Sequence, residues 1–117
     1  MDNCIFCKIV AGEIPCSKVY EDDTVLAFND IAPTAKTHVV IIPKEHILSG
    51  ANDLTAENAG IIGRIYLAAK KIAADTGLAD TGYRIVNNCG QDGGQTVFHI
   101  HFHLLGGEKL GGFGARV

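Results

Sequence analysis

The final third of the chain carries its most regular pattern. From Phe98 to Leu105 (Phe-His-Ile-His-Phe-His-Leu-Leu), apolar residues and histidines alternate with period two. Successive side chains of an extended strand point to opposite faces. The pattern therefore predicts a strand with His99, His101 and His103 on one face and Phe98, Ile100, Phe102 and Leu104 on the other. Thr37–Pro43 (Thr-His-Val-Val-Ile-Ile-Pro) is β-branched and closed by proline, which predicts a central strand. Lys18–Tyr20 and Thr24–Phe28, separated by Glu21-Asp22-Asp23, predict a β-hairpin, and Tyr83–Asn87 a further strand. The period changes to helical over Asn52–Thr76, where Ile61, Ile65, Ala68 and Ile72 form a stripe widened by Ile62 and Ala69. Asp53 or Thr55 can cap the start of this helix, and Gly77 stands where a left-handed C-terminal residue is expected. Cys4–Val10 predicts one or two helical turns before Gly12.

Short strands, one long helix and tight loops give an α+β domain, an antiparallel sheet covered by the helix. Nothing divides the 117 residues into more than one domain. The stretch 107–117 is a glycine-rich tail, with Leu110 and Phe113 as its bulky anchors. Gly60 and Gly63 weaken the long helix and point to close approach of another element, such as a second subunit.

Composition narrows the function classes. The chain is 47% hydrophobic with a formal net charge of −3, which argues against nucleic-acid binding through a basic surface. No apolar run approaches the ~20 residues that span a bilayer. The N-terminus lacks a basic region followed by an apolar one. No membrane association and a cytoplasmic location are expected, with the four cysteines reduced.

A solvated strand face does not require imidazoles, so three of the five histidines on one face signal chemistry. A metal held by all three is disfavoured. Alternate strand residues lie roughly 6.7 Å apart, leaving about 13 Å between His99 and His103. The alternative is nucleophilic and acid–base work on a phosphate by an aimed neutral imidazole. The preceding loop suits it. Gly93 and Gly94 let backbone N–H groups approach an anion, and Asn88, Gln95 and Thr96 add neutral donors. Cys4 and Cys7 form a C-x-x-C pair. Alone it is a weak sign of metal, and a tetrahedral site would need histidines, with His46 and His99 the natural candidates.

His99-Ile-His101-Phe-His103-Leu-Leu resembles the signature of the histidine-triad (HIT) superfamily. Gln91-Asp-Gly-Gly-Gln-Thr-Val-Phe98, Gly106-Gly107, Phe28-Asn-Asp-Ile-Ala-Pro33 and Thr37 through His46 are similar to its Hint branch. The likeness runs from about Ile5 to Gly107. It implies a five-stranded antiparallel sheet with a long and a short N-terminal helix, dimerising into one continuous sheet. It implies a purine nucleoside phosphoramidase and nucleotidyl hydrolase acting on adenosine or guanosine phosphoramidates and acyl-adenylates, with no metal in catalysis. By that resemblance His101 attacks the α-phosphorus to give a nucleotidyl-histidine intermediate, His99 orients it, and His103 contacts phosphate oxygens. His38, an ordinary strand histidine taken alone, supports the triad. Asp30 and Ile31 meet the ribose side. Asn88, Gly94, Gln95 and Thr96 meet the phosphate and leaving group, and Ile5, Phe6, Phe28 and Val40 form the base slot. Some bacterial relatives carry C-x-x-C here, so Cys4, Cys7, His46 and His99 match a structural zinc set; the pair can equally persist as free thiols. The tail lacks the tryptophan of eukaryotic Hint proteins, so it does not define the leaving group. Other readings are a dinucleoside polyphosphate hydrolase of the Fhit type, a nucleotide-binding interaction protein, and a metal-dependent hydrolase.

Overall fold

The apolar runs assemble a sheet that is buried on both faces. In a computed structural model, which describes residues 4–112, the strands are β1 (Lys18–Glu21), β2 (Val25–Asn29), β3 (Thr37–Pro43), β4 (Tyr83–Val86) and β5 (Phe102–Gly106). They form one antiparallel sheet in the order β1-β2-β3-β5-β4. Alternation along each strand separates two layers. Val25, Ala27, Val39, Ile41, Phe102 and Leu104 join Ile65, Ala68, Ala69, Ile72 and Ala73 of the long helix α2 (Gly60–Thr76) in one core. Leu26, Phe28, Val40 and Ile42 pack on the opposite face with Phe6 of the short helix α1 (Ile5–Val10). The expected helical stripe is the buried one, and Gly77 ends α2 at φ +83°.

Three elements differ from the sequence expectation. Helix α2 starts at Gly60 rather than Asn52. Asp53 instead folds its carboxylate back on the amides of Ser49 and Gly50, closing a 3₁₀ turn at Ala51–Asp53. Thr55 and Asn58 cap each other's amides in a second turn. These short polar side chains serve local turns in place of the helix. A short helix α3 (Leu78–Thr81) follows α2, and Leu78 packs so close to β5 that a Cβ on Gly106 would lie 2.8 Å from it.

The third difference concerns the histidine segment. Strand β5 begins at Phe102, so residues 98–101 are outside the ladder. Ile41 pairs with Phe102, which places Pro43 opposite Ile100, and proline has no N–H to donate. The Ile100 amide turns to the Leu48 carbonyl at 2.9 Å, and Asn87 donates its side-chain amide to the His101 carbonyl at 2.9 Å. Phe98 is consequently half exposed rather than packed with Ile100, Phe102 and Leu104. The part of the tail beyond Gly112, including Phe113, lies outside the described residues.

Candidate active site

All three triad histidines and His38 are buried, between 0% and 6% exposed. Each ring is oriented by a particular partner, and those partners fix which nitrogen carries the proton. A carbonyl can only accept. His99 Nε2, 2.8 Å from the Pro43 carbonyl, must therefore be the protonated nitrogen, leaving Nδ1 as a lone pair. His101 Nδ1 likewise donates to the His99 carbonyl at 2.8 Å, so its Nε2 is the free lone pair. His38 Nδ1 accepts the Thr34 amide at 3.1 Å, which puts the His38 proton on Nε2, 2.8 Å from His103 Nδ1. His103 then carries its own proton on Nε2, which is buried and has no hydrogen-bond partner. The result is a lone pair on His101 beside an N–H on His103, with ring centroids 5.2 Å apart.

Burial is the largest cause holding the pKa values of His38, His99, His101 and His103 below the ordinary imidazole value. For His103, the neighbouring His101 and His38 add to the effect, and its pKa falls to about 4. All four rings are thus kept neutral at physiological pH, as a nucleophilic lone pair requires.

His101 and His103 open into a cavity of about 430 Å³. Of the residues expected at a substrate site, Ile5, Phe6, Phe28, Asp30, Ile31, Val40 and Thr96 line it. The Phe6 ring stands edge-on to Phe28, His99 and His101, at centroid distances of 5.8, 5.7 and 5.0 Å. Ile9, Ile14, Pro15 and Cys16 of α1 and the following loop also line the cavity, as do Asn29 at the end of β2 and Val97, and no local sequence signal marks any of them. Asp30 bears the only formal charge among these lining residues. An anion entering here meets neutral donors rather than lysine or arginine.

The glycine-rich loop is built differently from a free row of amides. Gly94 N–H bonds to the Gln91 carbonyl and Gln95 N–H to the Gly90 carbonyl. The Gln95 side chain accepts the Gly90 amide at 2.9 Å and donates to the Ser49 and Val97 carbonyls at 2.6 and 3.0 Å. It holds the loop rather than facing the cavity. Gly93 is required by packing, since a Cβ there would lie 2.5 Å from the Cys89 carbonyl oxygen. Asn88 is not among the cavity-lining residues, whereas its neighbour Asn87 secures the His101 backbone. Neither Asn87 nor the Thr34 amide carried a sequence signal for its role.

On the other side of His99, its Nδ1 lone pair lies 3.4 Å from Cys4 Sγ and 3.6 Å from Cys7 Sγ, and His46 Nδ1 lies 3.4 Å from Cys7 Sγ. These four ligand atoms fall within 4.8 Å of one another. Ligands on a tetrahedral zinc at about 2.0–2.3 Å are spaced about 3.3–3.8 Å apart, so this donor set fits zinc.

A sheet covered on both faces, with a buried triad of neutral histidines opening into an apolar cavity that holds one carboxylate, defines the chain as an α+β domain with a built site. The HIT domain family model matches residues 11–110, and the chain belongs to that family. It is 50% identical over 107 residues to the purine nucleoside phosphoramidase of Escherichia coli K12, covering 92% of this chain and 89% of that protein. It is 46% identical to the protein HitA of Neisseria gonorrhoeae, over 91% of this chain and 97% of that one. Among solved structures, a histidine triad protein from Clostridium difficile superposes with a TM-score of 0.93 at 47% identity, covering 97% and 98% of the two chains. A HIT family hydrolase from Legionella pneumophila gives 0.88 at 50% identity, covering 92% and 95%.

Proposed function

We propose that this protein is a purine nucleoside phosphoramidase and nucleotidyl hydrolase in which His101 is the nucleophile. The observation that carries this reading is the His101 tautomer: Nδ1–H is bound to the His99 carbonyl, and the Nε2 lone pair belongs to a ring lining the cavity. Half identity with a phosphoramidase over nine-tenths of the chain supports the reaction class. His101 Nε2 bonds to the α-phosphorus as the phosphorus–nitrogen bond of the substrate breaks, and the departing amine takes up a proton from solvent. Water then cleaves the nucleotidyl-histidine, its oxygen bonding to phosphorus as the phosphorus–Nε2 bond breaks and its proton returning to solvent, which releases the nucleoside monophosphate and restores the lone pair of His101. The unpartnered His103 Nε2–H is the donor for a phosphoryl oxygen. Phe6, Phe28, Val40 and Ile5 form the slot for the base, Asp30 takes the ribose hydroxyls with Ile31 at the rim, and Thr96 adds a donor beside the phosphate. Asn88, Gly94 and Gln95 shape this end of the site through the loop.

Zinc, when bound, takes Cys4, Cys7, His46 and His99 Nδ1 and supplies a structural crosslink between α1 and the segments that follow β3 and precede β5. His101 stays free for chemistry. A homodimer is part of the same reading. Its support is the edge position of β4, with Tyr83 exposed, and an exposed helical face of Gly60, Gly63, Tyr66 and Leu67. Sedimentation at micromolar concentration decides the oligomeric state. Cytoplasmic residence fits four unpaired thiols, and no helix among the described residues is long and apolar enough to cross a membrane. Localisation by fractionation tests it.

The deciding experiment is AMP release from adenosine 5′-phosphoramidate in excess EDTA. Wild type is expected to turn over and His101→Ala to lose activity by ~10³-fold or more with its fold intact. Equal release by both would remove His101 as nucleophile, and preferred hydrolysis of diadenosine polyphosphates would favour the Fhit-type reading.

A further inference from the structure

The His38 Nε2 proton is bonded to one ring and lies near a carboxylate that competes for it. His103 Nδ1 lies 2.8 Å away and Asp30 Oδ2 3.4 Å away. His38 has no alternative tautomer to offer, because the Thr34 amide occupies Nδ1. Asp30 is anchored at its other oxygen, where Oδ1 accepts the Ala32 amide at 2.7 Å, so Oδ2 is held within reach of the imidazole. The His38 side chain is 2% exposed and that of Asp30 23%, which leaves the carboxylate the only one of the pair open to the cavity.

We infer that Asp30 is a positioning residue for the reacting end of the site, acting through His38 on His103, so that ribose binding is felt at the phosphate. The inference rests on the nucleotide reading above and deepens it. In the free protein the His38 proton is bonded to His103 Nδ1, and the Asp30 carboxylate 3.4 Å away competes for the same proton. When it bends toward Asp30, His103 Nδ1 loses its donor and nothing holds the His103 proton on Nε2. Ribose hydroxyls that donate to Oδ2 satisfy the carboxylate and leave the His38 proton wholly to His103 Nδ1. His103 is then locked as the Nε2–H tautomer that a phosphoryl oxygen needs. A substrate without those hydroxyls loses more than a binding contact, because it arrives at a site whose donor is not set.

The test uses adenosine 5′-phosphoramidate and its 2′,3′-dideoxy analogue with wild type and His38→Ala. In wild type the dideoxy substrate is expected to lower kcat about tenfold as well as raise KM. In His38→Ala the kcat penalty should shrink to within about twofold of unity while the KM penalty remains. Because His38→Ala is a buried change that can impair folding, ¹⁵N NMR of histidine tautomers in wild type provides an independent readout. His103 is expected as a single Nε2–H form with AMP and as a tautomer mixture with 2′,3′-dideoxy-AMP. A penalty in KM alone, an equal kcat penalty in both enzymes, or the same His103 tautomer in both complexes would overturn the inference while leaving the phosphoramidase reading intact. Failure of wild type to bind AMP or to turn over the parent substrate would overturn that reading, and this one with it.

Discussion

His101 donates its Nδ1 proton to the backbone carbonyl of His99, 2.8 Å away, and His99 presents its own Nδ1 to the thiols of Cys4 and Cys7. One residue thus serves two sites. Its carbonyl aims the nucleophilic ring, and its ring closes the cysteine cluster. The two functions stay separate because they use different atoms.

The zinc proposal follows this division. Purified protein is expected to carry about one zinc per chain, and Cys4→Ser with Cys7→Ser to carry none, read by elemental analysis. Stripping the metal should lower Tm by roughly 5 °C or more through loss of a ligand bound only by the folded state. Turnover by the remaining folded protein should persist. Loss of turnover at a temperature where the stripped protein is fully folded, restored by added zinc, would place the metal in catalysis.

Phe6 connects α1 to both the base slot and the triad. Phe6→Ala removes a buried ring that touches Phe28, His99 and His101. It should cost about 3 kcal/mol of stability by denaturant melting, as large-to-small core changes do. AMP affinity should fall at least tenfold by calorimetry. A loss of stability with unchanged AMP affinity would remove Phe6 from the base slot.

The loop carrying Thr96 depends on a backbone approach rather than on chain flexibility. Gly93→Ala would place a methyl 2.5 Å from the Cys89 carbonyl oxygen, a contact that backbone cannot relieve cheaply. It should cost about 1–3 kcal/mol and lower kcat/KM.

The pH dependence has a definite sign. A histidine whose folded pKa lies below its unfolded value near 6.5 binds fewer protons when folded than when unfolded at the pH values between them. Stability therefore decreases as pH falls through that window. For His103 the window runs from about 6.5 down to about 4, and below it the contribution levels off. Urea titrations from pH 8 to pH 4 should show this loss in wild type and a shallower one in His103→Asn. Because burial also lowers the His101 pKa, the acid limb of kcat/KM should fall at a pH below 6.5. An acid limb at or above 6.5 would mean the nucleophile is not held neutral by its surroundings.

The sequence by itself determined the strands and the buried stripe of the long helix, because period-two and period-3.6 patterns directly encode which side chains of one element share a face. That His38, Val40 and Phe28 share a face with His103 was implied by the resemblance to the HIT family and set by the register of β3 against β2 and β5. Local pattern did not determine where β5 begins. That was decided across the sheet, where Pro43 has no proton for Ile100 and Asn87 takes the His101 carbonyl in place of a further strand pairing. The same holds for the start of α2, where Asp53, Thr55 and Asn58 were drawn into turns by partners within five residues that offered equally good bonds. Tautomers lay furthest from the sequence. They depend on the Pro43 and His99 carbonyls and the Thr34 amide, backbone groups that every residue type supplies and that only the tertiary structure brings to a particular ring.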